Sequence, residues 1–231
     1  MSTWYVPTIL VVVLVAVGLL GAYTEILPPG LGFYLFGGGV LLGALSGLVL
    51  AAASAIASAT GRAWRGSAAR AAVIPMLVAL AVILPGAMNP TPILNDVTTD
   101  LEDPKAFAPD VAAGSGADAL DFREMQRAAY PDIGPLLSPE TPQQTFQRAL
   151  QQARATPDWE VVEVDQARGT FHAVATSRLF KFRDDVVIRV RPDGQGSRLD
   201  LRSRSRVGRG DMGANAARIR AFQDEFRAAA E

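Results

Sequence analysis

The sequence predicts an α+β protein: three N-terminal transmembrane helices, then an extramembrane domain with a four-stranded antiparallel sheet packed against two helices. Charge supports the division, because from Met1 to Ala59 the only charged side chain is Glu25 and nearly all ionisable residues follow Met88. Four strand-like runs between two helical patterns support the α+β class. We expect an anchor over residues 1–88, an extended linker with a short helix over 89–140, and the α+β domain over 141–231.

Composition excludes several kinds of site. The chain has no cysteine, which removes disulfides, thiolate nucleophiles and cysteine metal sites. The net charge is −1, with 22 basic and 23 acidic residues. The polar part after Met88 is long enough to bury one ordinary domain core.

Three uncharged apolar runs, over residues 4–22, 31–59 and 71–88, predict membrane-spanning helices. An apolar run of about 18 residues or more is typical of such helices. One alternative is a set of buried core helices, which rarely go so long without a charge. A second alternative makes the first run a cleaved signal peptide, but the N-terminal MSTWYVP has no Lys or Arg.

The charges of the loops predict an orientation. Arg62, Arg65 and Arg70 lie between the second and third runs, whereas residues 23–30 carry Glu25 and no base. Because basic loops stay in the cytoplasm, the N-terminus is expected there and the C-terminal domain in the periplasm of a bacterial inner-membrane protein.

Small residues recur at every fourth position of the second run, at Gly39, Gly43 and Gly47 and then at Ala51 and Ala55. On a helix this spacing makes a smooth stripe that another helix can approach closely. The stripe fits either self-association into an oligomer or packing against the other two helices of the same chain.

The α+β domain begins with a helix predicted after Thr141, because Thr141 and Gln144 form a capping-box pattern and Pro142 suits the first turn. A short helix is expected earlier, over residues 118–129, and a last helix over 214–229. Short turns imply antiparallel neighbours among the strands. The four strand-like runs cover residues 159–165, 170–180, 185–191 and 197–207.

Arginines alternate with other residues along the last two predicted strands. Alternate side chains of a strand point to opposite faces, so these arginines, Arg198 among them, share one sheet face, here called the arginine face. A row of like charges is destabilised by electrostatic repulsion unless acids or an anionic partner neutralise it. The candidate anion-binding or partner-binding residues are Arg189, Arg191, Arg202, Arg204 and Arg206.

Several segments together form a recognisable pattern: ILNDVTTD at 93–100, YP at 130–131, FRDDVVIR at 182–189, and RSRSRVG at 202–208 with Asp211, Gly213, Asn215 and Arg218. With them, residues 93–226 resemble the bacterial family called domain of unknown function 1499. The resemblance implies a membrane-linked envelope protein and supplies no activity. His172 and Lys181 depart from the family pattern. The motif residues of unassigned role are Asn95, Asp96, Asp100, Asp184, Asp185, Asp211 and Asn215.

The arginine face has two interpretations. Arginine grips phosphate or carboxylate with paired hydrogen bonds, so the face fits an anionic lipid, an acidic polysaccharide or an envelope protein. The alternative is an internal ion-pair network with the chain's own acids. The acids nearest in sequence are Asp184, Asp185, Asp200 and Asp211.

Other motifs indicate no further chemistry. The acidic cluster Asp96, Asp100, Glu102 and Asp103 matches no calcium loop, so we expect turn capping or pairing with arginines. His172 is the only histidine and has no nucleophile elbow nearby in sequence, which favours an ordinary strand residue. We therefore expect no cofactor, no metal and no nucleic acid.

The sequence favours a non-enzymatic envelope protein whose external domain binds an anionic component or a protein partner through the arginine face. One alternative is a membrane-proximal hydrolase or transferase acting on lipid or cell-wall material. A structural or assembly module is the other.

Overall fold

A computed structural model describes residues 3–107 and 119–229, with the side chains of residues 119–121 left out of the description. Two compact units make up the fold. One comprises Met1–Pro90 with Arg178–Lys181, and the other comprises Thr91–Ser177 with Phe182–Glu231.

Three helices form most of the first unit: α1 (Val6–Tyr23), α2 (Pro29–Ala59) and α3 (Arg65–Met88). All three are long and apolar enough to cross a membrane. A turn of 3₁₀ helix at Thr3–Tyr5 precedes α1. The three predicted apolar runs thus correspond to these three helices.

The helices of the first unit approach each other closely through glycines. A Cβ atom on Gly39 would lie 3.1 Å from the backbone nitrogen of Val15 in α1, and one on Gly43 would lie 3.0 Å from the carbonyl oxygen of Pro75 in α3. Gly47 faces α3 in the same way. The small-residue stripe of α2 therefore lies against helices of its own chain.

Polar and aromatic contacts join α1 to α3. The buried Thr8 hydroxyl donates a 2.8 Å hydrogen bond to the carbonyl oxygen of Ala71. The rings of Trp4 and Trp64 stack with their centroids 4.9 Å apart. The start of α1 and the start of α3 therefore lie at the same end of the bundle.

In its described residues the second unit contains three helices and six strands. The capping box predicted at Thr141 is present, since the Thr141 hydroxyl accepts from the Gln144 N–H and the Gln144 side chain accepts from the Thr141 N–H. The elements are β1 (Asp96–Thr98), α4 (Ala119–Ala129), β2 (Leu136–Ser138), α5 (Pro142–Ala155), β3 (Trp159–Asp165), β4 (Thr170–Thr176), β5 (Arg183–Asp193), β6 (Gly196–Ser205) and α6 (Ala214–Ala228). The predicted start of α4 at Asp118 lies outside the described residues.

The sheet is antiparallel throughout, with strand order β1-β6-β5-β4-β3. β2 also pairs with β6, so β1 and β2 share one edge of that strand. Thr98 is opposite Arg202, and Leu136 is opposite Leu199.

The predicted strand count was wrong, because the sheet has six strands and not four. The two additional strands, β1 and β2, come from the stretch expected to be an extended linker. Each has three residues, too few to show an alternating pattern, and each pairs with a strand far along the chain.

The main core lies between the sheet and the helices α5 and α6. Phe171, Val186, Ile188, Leu199 and Leu201 supply the sheet side of this core. Their neighbours in sequence point to the other side of the sheet, as strand geometry requires. The core thus fixes which side chains form the arginine face. The helix side is made by Phe146, Ala149, Leu150, Ala153, Ala216, Ile219, Phe222 and Phe226.

Candidate functional site: the arginine face

A central cluster on the arginine face joins β5 and β6 to the segment after β1. Arg191 donates to Asp100 at 2.7 Å and to Asp200 at 2.8 Å. Arg189 donates to Asp100 at 3.0 Å and to Asp103 at 2.9 Å. Arg198 contacts Asp100 at 3.0 Å and Asp200 at 2.9 Å. Three guanidinium groups therefore share three carboxylates.

A second pair lies nearer the end of β6. Arg202 binds both carboxylate oxygens of Asp96, at 3.0 and 2.7 Å, and donates at 2.9 Å to the carbonyl oxygen of Lys105. Its guanidinium lies 4.6 Å from the ring centroid of Phe107. The segment from Asp96 to Phe107 is thus fastened across the sheet by charge-assisted bonds and a cation–π contact.

A third group is built around Asp185. Arg206 donates to both of its carboxylate oxygens, at 2.8 and 2.7 Å, and the Nε2 atom of His172 lies 2.8 Å from Oδ1. Asp185 is 1% exposed and His172 is 9% exposed. The sequence predicted that His172 is an ordinary strand residue, and it did not predict the contact with Asp185.

The ion pairs shift the pKa values of their members. Burial raises the pKa of Asp100, but the Asp103 N–H and the guanidinium groups of Arg191 and Arg198 more than offset this and hold it below the ordinary aspartate value. Burial acts in the same way on Asp185, and bonds from His172 and Arg206 again leave its pKa lowered. Burial lowers the pKa of Arg191, but hydrogen bonds to Asp100 and Asp200 and the charges of these two carboxylates raise it above the ordinary value.

Arg204 differs from the other arginines of the face. It is 4% exposed, and its guanidinium lies 5.7 Å from the ring centroid of Phe107. Within residues 3–107 and 119–229, no carboxylate oxygen comes within ion-pair distance of it. Among the residues that the structure describes, the network of the face contains six arginines and five aspartates: Arg189, Arg191, Arg198, Arg202, Arg204, Arg206, Asp96, Asp100, Asp103, Asp185 and Asp200.

The remaining motif residues gather elsewhere, around the start of α6. Asp184 accepts from Arg218 at 2.7 Å on the opposite side of the sheet from Asp185. Asp211 accepts from the N–H groups of Gly213 and Asn215, both at 2.8 Å, and so caps the helix start. Asn215 is fully buried and donates to the carbonyl oxygen of Asn95.

A cavity of about 280 Å³ adjoins the arginine face between β3, β4 and residues 105–107. His172 and Phe107 line it and also contact the ion-pair network. Its other lining residues include Lys105, Glu163, Thr170 and Val187. The sequence offered no signal for this cavity, since its walls come from separate parts of the chain.

Nothing in the described part of the chain provides a cluster of side chains suited to a metal ion. The acids Asp96, Asp100 and Asp103 all hold arginines instead. The sequence placed Asp103 in the acidic cluster expected to cap turns or pair with arginines, but it gave no indication that Phe107 contributes to the arginine face.

Comparison with known proteins places residues 96–226 within a family model described as "Protein of unknown function (DUF1499)". No curated protein matches the chain.

Proposed function

Because the chain belongs to DUF1499, a family whose function is unknown, we propose a function from its own residues: a non-enzymatic, membrane-anchored module that binds a single anionic group at Arg204. The three apolar helices provide the anchor. In this proposal the N-terminus is cytoplasmic, the domain lies in the bacterial periplasm, and the group belongs to an envelope lipid or to a protein partner.

The excess charge of the arginine face supports this proposal. A buried charge without a counter-ion is expensive, and among the described residues no carboxylate pairs with Arg204. Arg204 is therefore the position where a phosphate or carboxylate ligand gains most binding free energy. Arginine suits either group because its planar fork donates two parallel hydrogen bonds. Arg206, which follows directly after the end of β6, has 37% of its side chain exposed and marks the open approach.

The same charges argue against a polyanion as the ligand. Arg189, Arg191, Arg198 and Arg202 are already bonded to Asp96, Asp100, Asp103 and Asp200. A long acidic polysaccharide needs many uncompensated cations along its path. A single anionic group needs only one uncompensated cation.

The test uses the full chain in a zwitterionic detergent and measures binding by calorimetry. The probes are inorganic phosphate, acetate, and short-chain phosphatidylglycerol with phosphatidylcholine as its uncharged comparator. We expect Arg204→Gln to weaken binding by about tenfold or more, and Arg204→Lys to weaken it less. Lipid binding without phosphate binding identifies a headgroup, and binding of acetate identifies a carboxylate.

The matched control is Arg220→Gln. Arg220 pairs with Asp132 at 2.7 Å and lies on α6, away from the arginine face, so its replacement removes an arginine without changing the proposed site. Equal binding by the Arg204→Gln and Arg220→Gln variants would reject the proposal, as would no binding of any probe.

A structural module is a second candidate function, favoured by one observation. The ion pairs fasten residues 96–107 across the sheet, so a purely mechanical role accounts for the paired arginines. In that case Arg204→Gln changes the stability of the fold, and neither the parent protein nor the variant binds an anion measurably.

A further inference from the structure

The cavity beside β3 and β4 has the size of a small-ligand site. Its volume is about 280 Å³, close to the lower end of about 300 Å³ for such sites. Phe107 and Val187 give it an apolar wall, and polar side chains complete it. It is separate from the guanidinium of Arg204, which is not among its lining groups.

His172 is one of the residues that line this cavity. Its Nε2 atom is 2.8 Å from Asp185, whose second oxygen is held by Arg206. An ionised carboxylate only accepts hydrogen bonds, so Nε2 carries the proton of the neutral ring. Nδ1 is then an acceptor, and the side chain that carries it is largely buried, with 11% exposed.

Among the described residues, the charges that line the cavity cancel. Lys105 and Arg168 are the cations, and Glu163 and Asp165 are the anions. Arg168 and Asp165 pair with each other at 3.6 Å. In the described part of the chain Lys105 and Glu163 have no ion pair, which leaves one strong donor and one strong acceptor for a ligand.

We propose that this cavity binds one neutral polyol ring, such as a single sugar unit. A hydroxyl group both donates and accepts, so a polyol satisfies Nδ1 of His172 and the Glu163 carboxylate as acceptors and the Lys105 ammonium as a donor. The C–H faces of the ring pack against Phe107 and Val187. A charged ligand gains nothing from walls whose charges cancel.

The experiment is saturation-transfer difference NMR on the full chain in lauryldimethylamine oxide, a detergent without a sugar headgroup. The probes are glucose, N-acetylglucosamine and myo-inositol. Glucose 6-phosphate tests the effect of charge, and cyclohexanol tests a ring without the full set of hydroxyl groups. We expect millimolar binding of at least one neutral polyol and weaker binding of both comparators.

Two variants test the assigned contacts. Glu163→Gln and His172→Gln should each weaken binding by about fivefold. Glu163 is exposed on the edge strand β3, so its replacement leaves the fold intact even if His172→Gln disturbs Asp185. Glu124→Gln, on the exposed side of α4, is the control and should bind as the parent does.

Three results would overturn the polyol site: no binding of any neutral probe at tens of millimolar, tighter binding of glucose 6-phosphate than of glucose, or unchanged binding by Glu163→Gln. The site does not depend on Arg204. Rejection of the anion site at Arg204 therefore does not reject the polyol site, and rejection of the polyol site does not reject the anion site.

Discussion

Arg202 grips Asp96 with two hydrogen bonds, Nε to Oδ1 at 3.0 Å and Nη2 to Oδ2 at 2.7 Å, between residues that are 106 positions apart in the chain. Both side chains are largely buried, with 17% and 12% exposed. Removal of one partner therefore leaves an uncompensated charge in a partly desolvated place.

Asp96→Ala is expected to destabilise the second unit by about 3 kcal/mol. Removal of both partners in Asp96→Ala/Arg202→Met should cost less than the sum of the single changes, since no orphan charge remains. Urea denaturation of the full chain in detergent measures both, with Trp159 as the fluorescent probe in a Trp4→Phe/Trp64→Phe background. Additive effects would show that the pair makes no direct contribution.

Acid should weaken the second unit, because the pKa values of Asp100 and Asp185 are lowered by their partners. A carboxylate whose folded-state pKa is depressed stabilises the fold above its unfolded pKa of about 4, and this stability is lost as the pH falls through the folded value. The free energy of unfolding should be level near neutrality and decline below about pH 4.

The control for this pH dependence is Asp100→Asn. The variant should be less stable than the parent near pH 7, and the two curves should converge in strong acid. A constant difference between the curves at all pH values would contradict a role for Asp100 ionisation.

His172 should be a single tautomer with its proton on Nε2, because the Asp185 carboxylate accepts at that atom. It is the only histidine of the chain, so ¹⁵N-histidine labelling gives one pair of nitrogen resonances. A long-range ¹H–¹⁵N spectrum at pH 8 should show a pyrrole-type Nε2 and a pyridine-type Nδ1. Asp185→Asn should weaken this preference, and a proton on Nδ1 in the parent would contradict the geometry.

Gly32→Ala should destabilise the helical unit by about 2 kcal/mol. The new Cβ would lie 2.7 Å from the carbonyl oxygen of Gly18, which belongs to the backbone of α1 and cannot move aside easily. Gly37→Ala is the matched control in the same helix, since a Cβ there meets no atom within 4 Å. Unfolding in mixed micelles, followed by far-UV circular dichroism, compares the two. Equal stability of both variants would show that α1 and α2 do not pack at Gly32.

Local patterns predicted the long elements of the fold. The capping box at Thr141 predicted where α5 begins, and alternation predicted the bounds of β3. The short strands β1 and β2 escaped prediction because their pairing with β6 depends on residues far away in sequence. The predicted face of the arginines follows from strand geometry alone. Arg189 and Arg202 each follow a core residue, Ile188 and Leu201, and therefore point to the other face of the sheet.

The partners of those arginines were harder to predict. Asp185 and Asp200, close in sequence, lie on the arginine face. Asp184 points to the other face of β5 and bonds to Arg218 of α6, and Asp211 caps the start of that helix. Most of the compensating charge comes from Asp96, Asp100 and Asp103. Their position follows from the pairing of β1 with β6, which three residues of sequence do not reveal.

The distance along the chain between Asp96 and Arg202 also determines when their ion pair can form during translation. At about 5 to 20 residues per second, the 106 residues between them take about 5 to 20 s to synthesise. The apolar helices are synthesised long before Arg202, so Asp96 has no arginine partner from β6 while the chain between them is made. The sheet of the second unit therefore cannot be completed until β6 has been translated, when most of the chain has already been made.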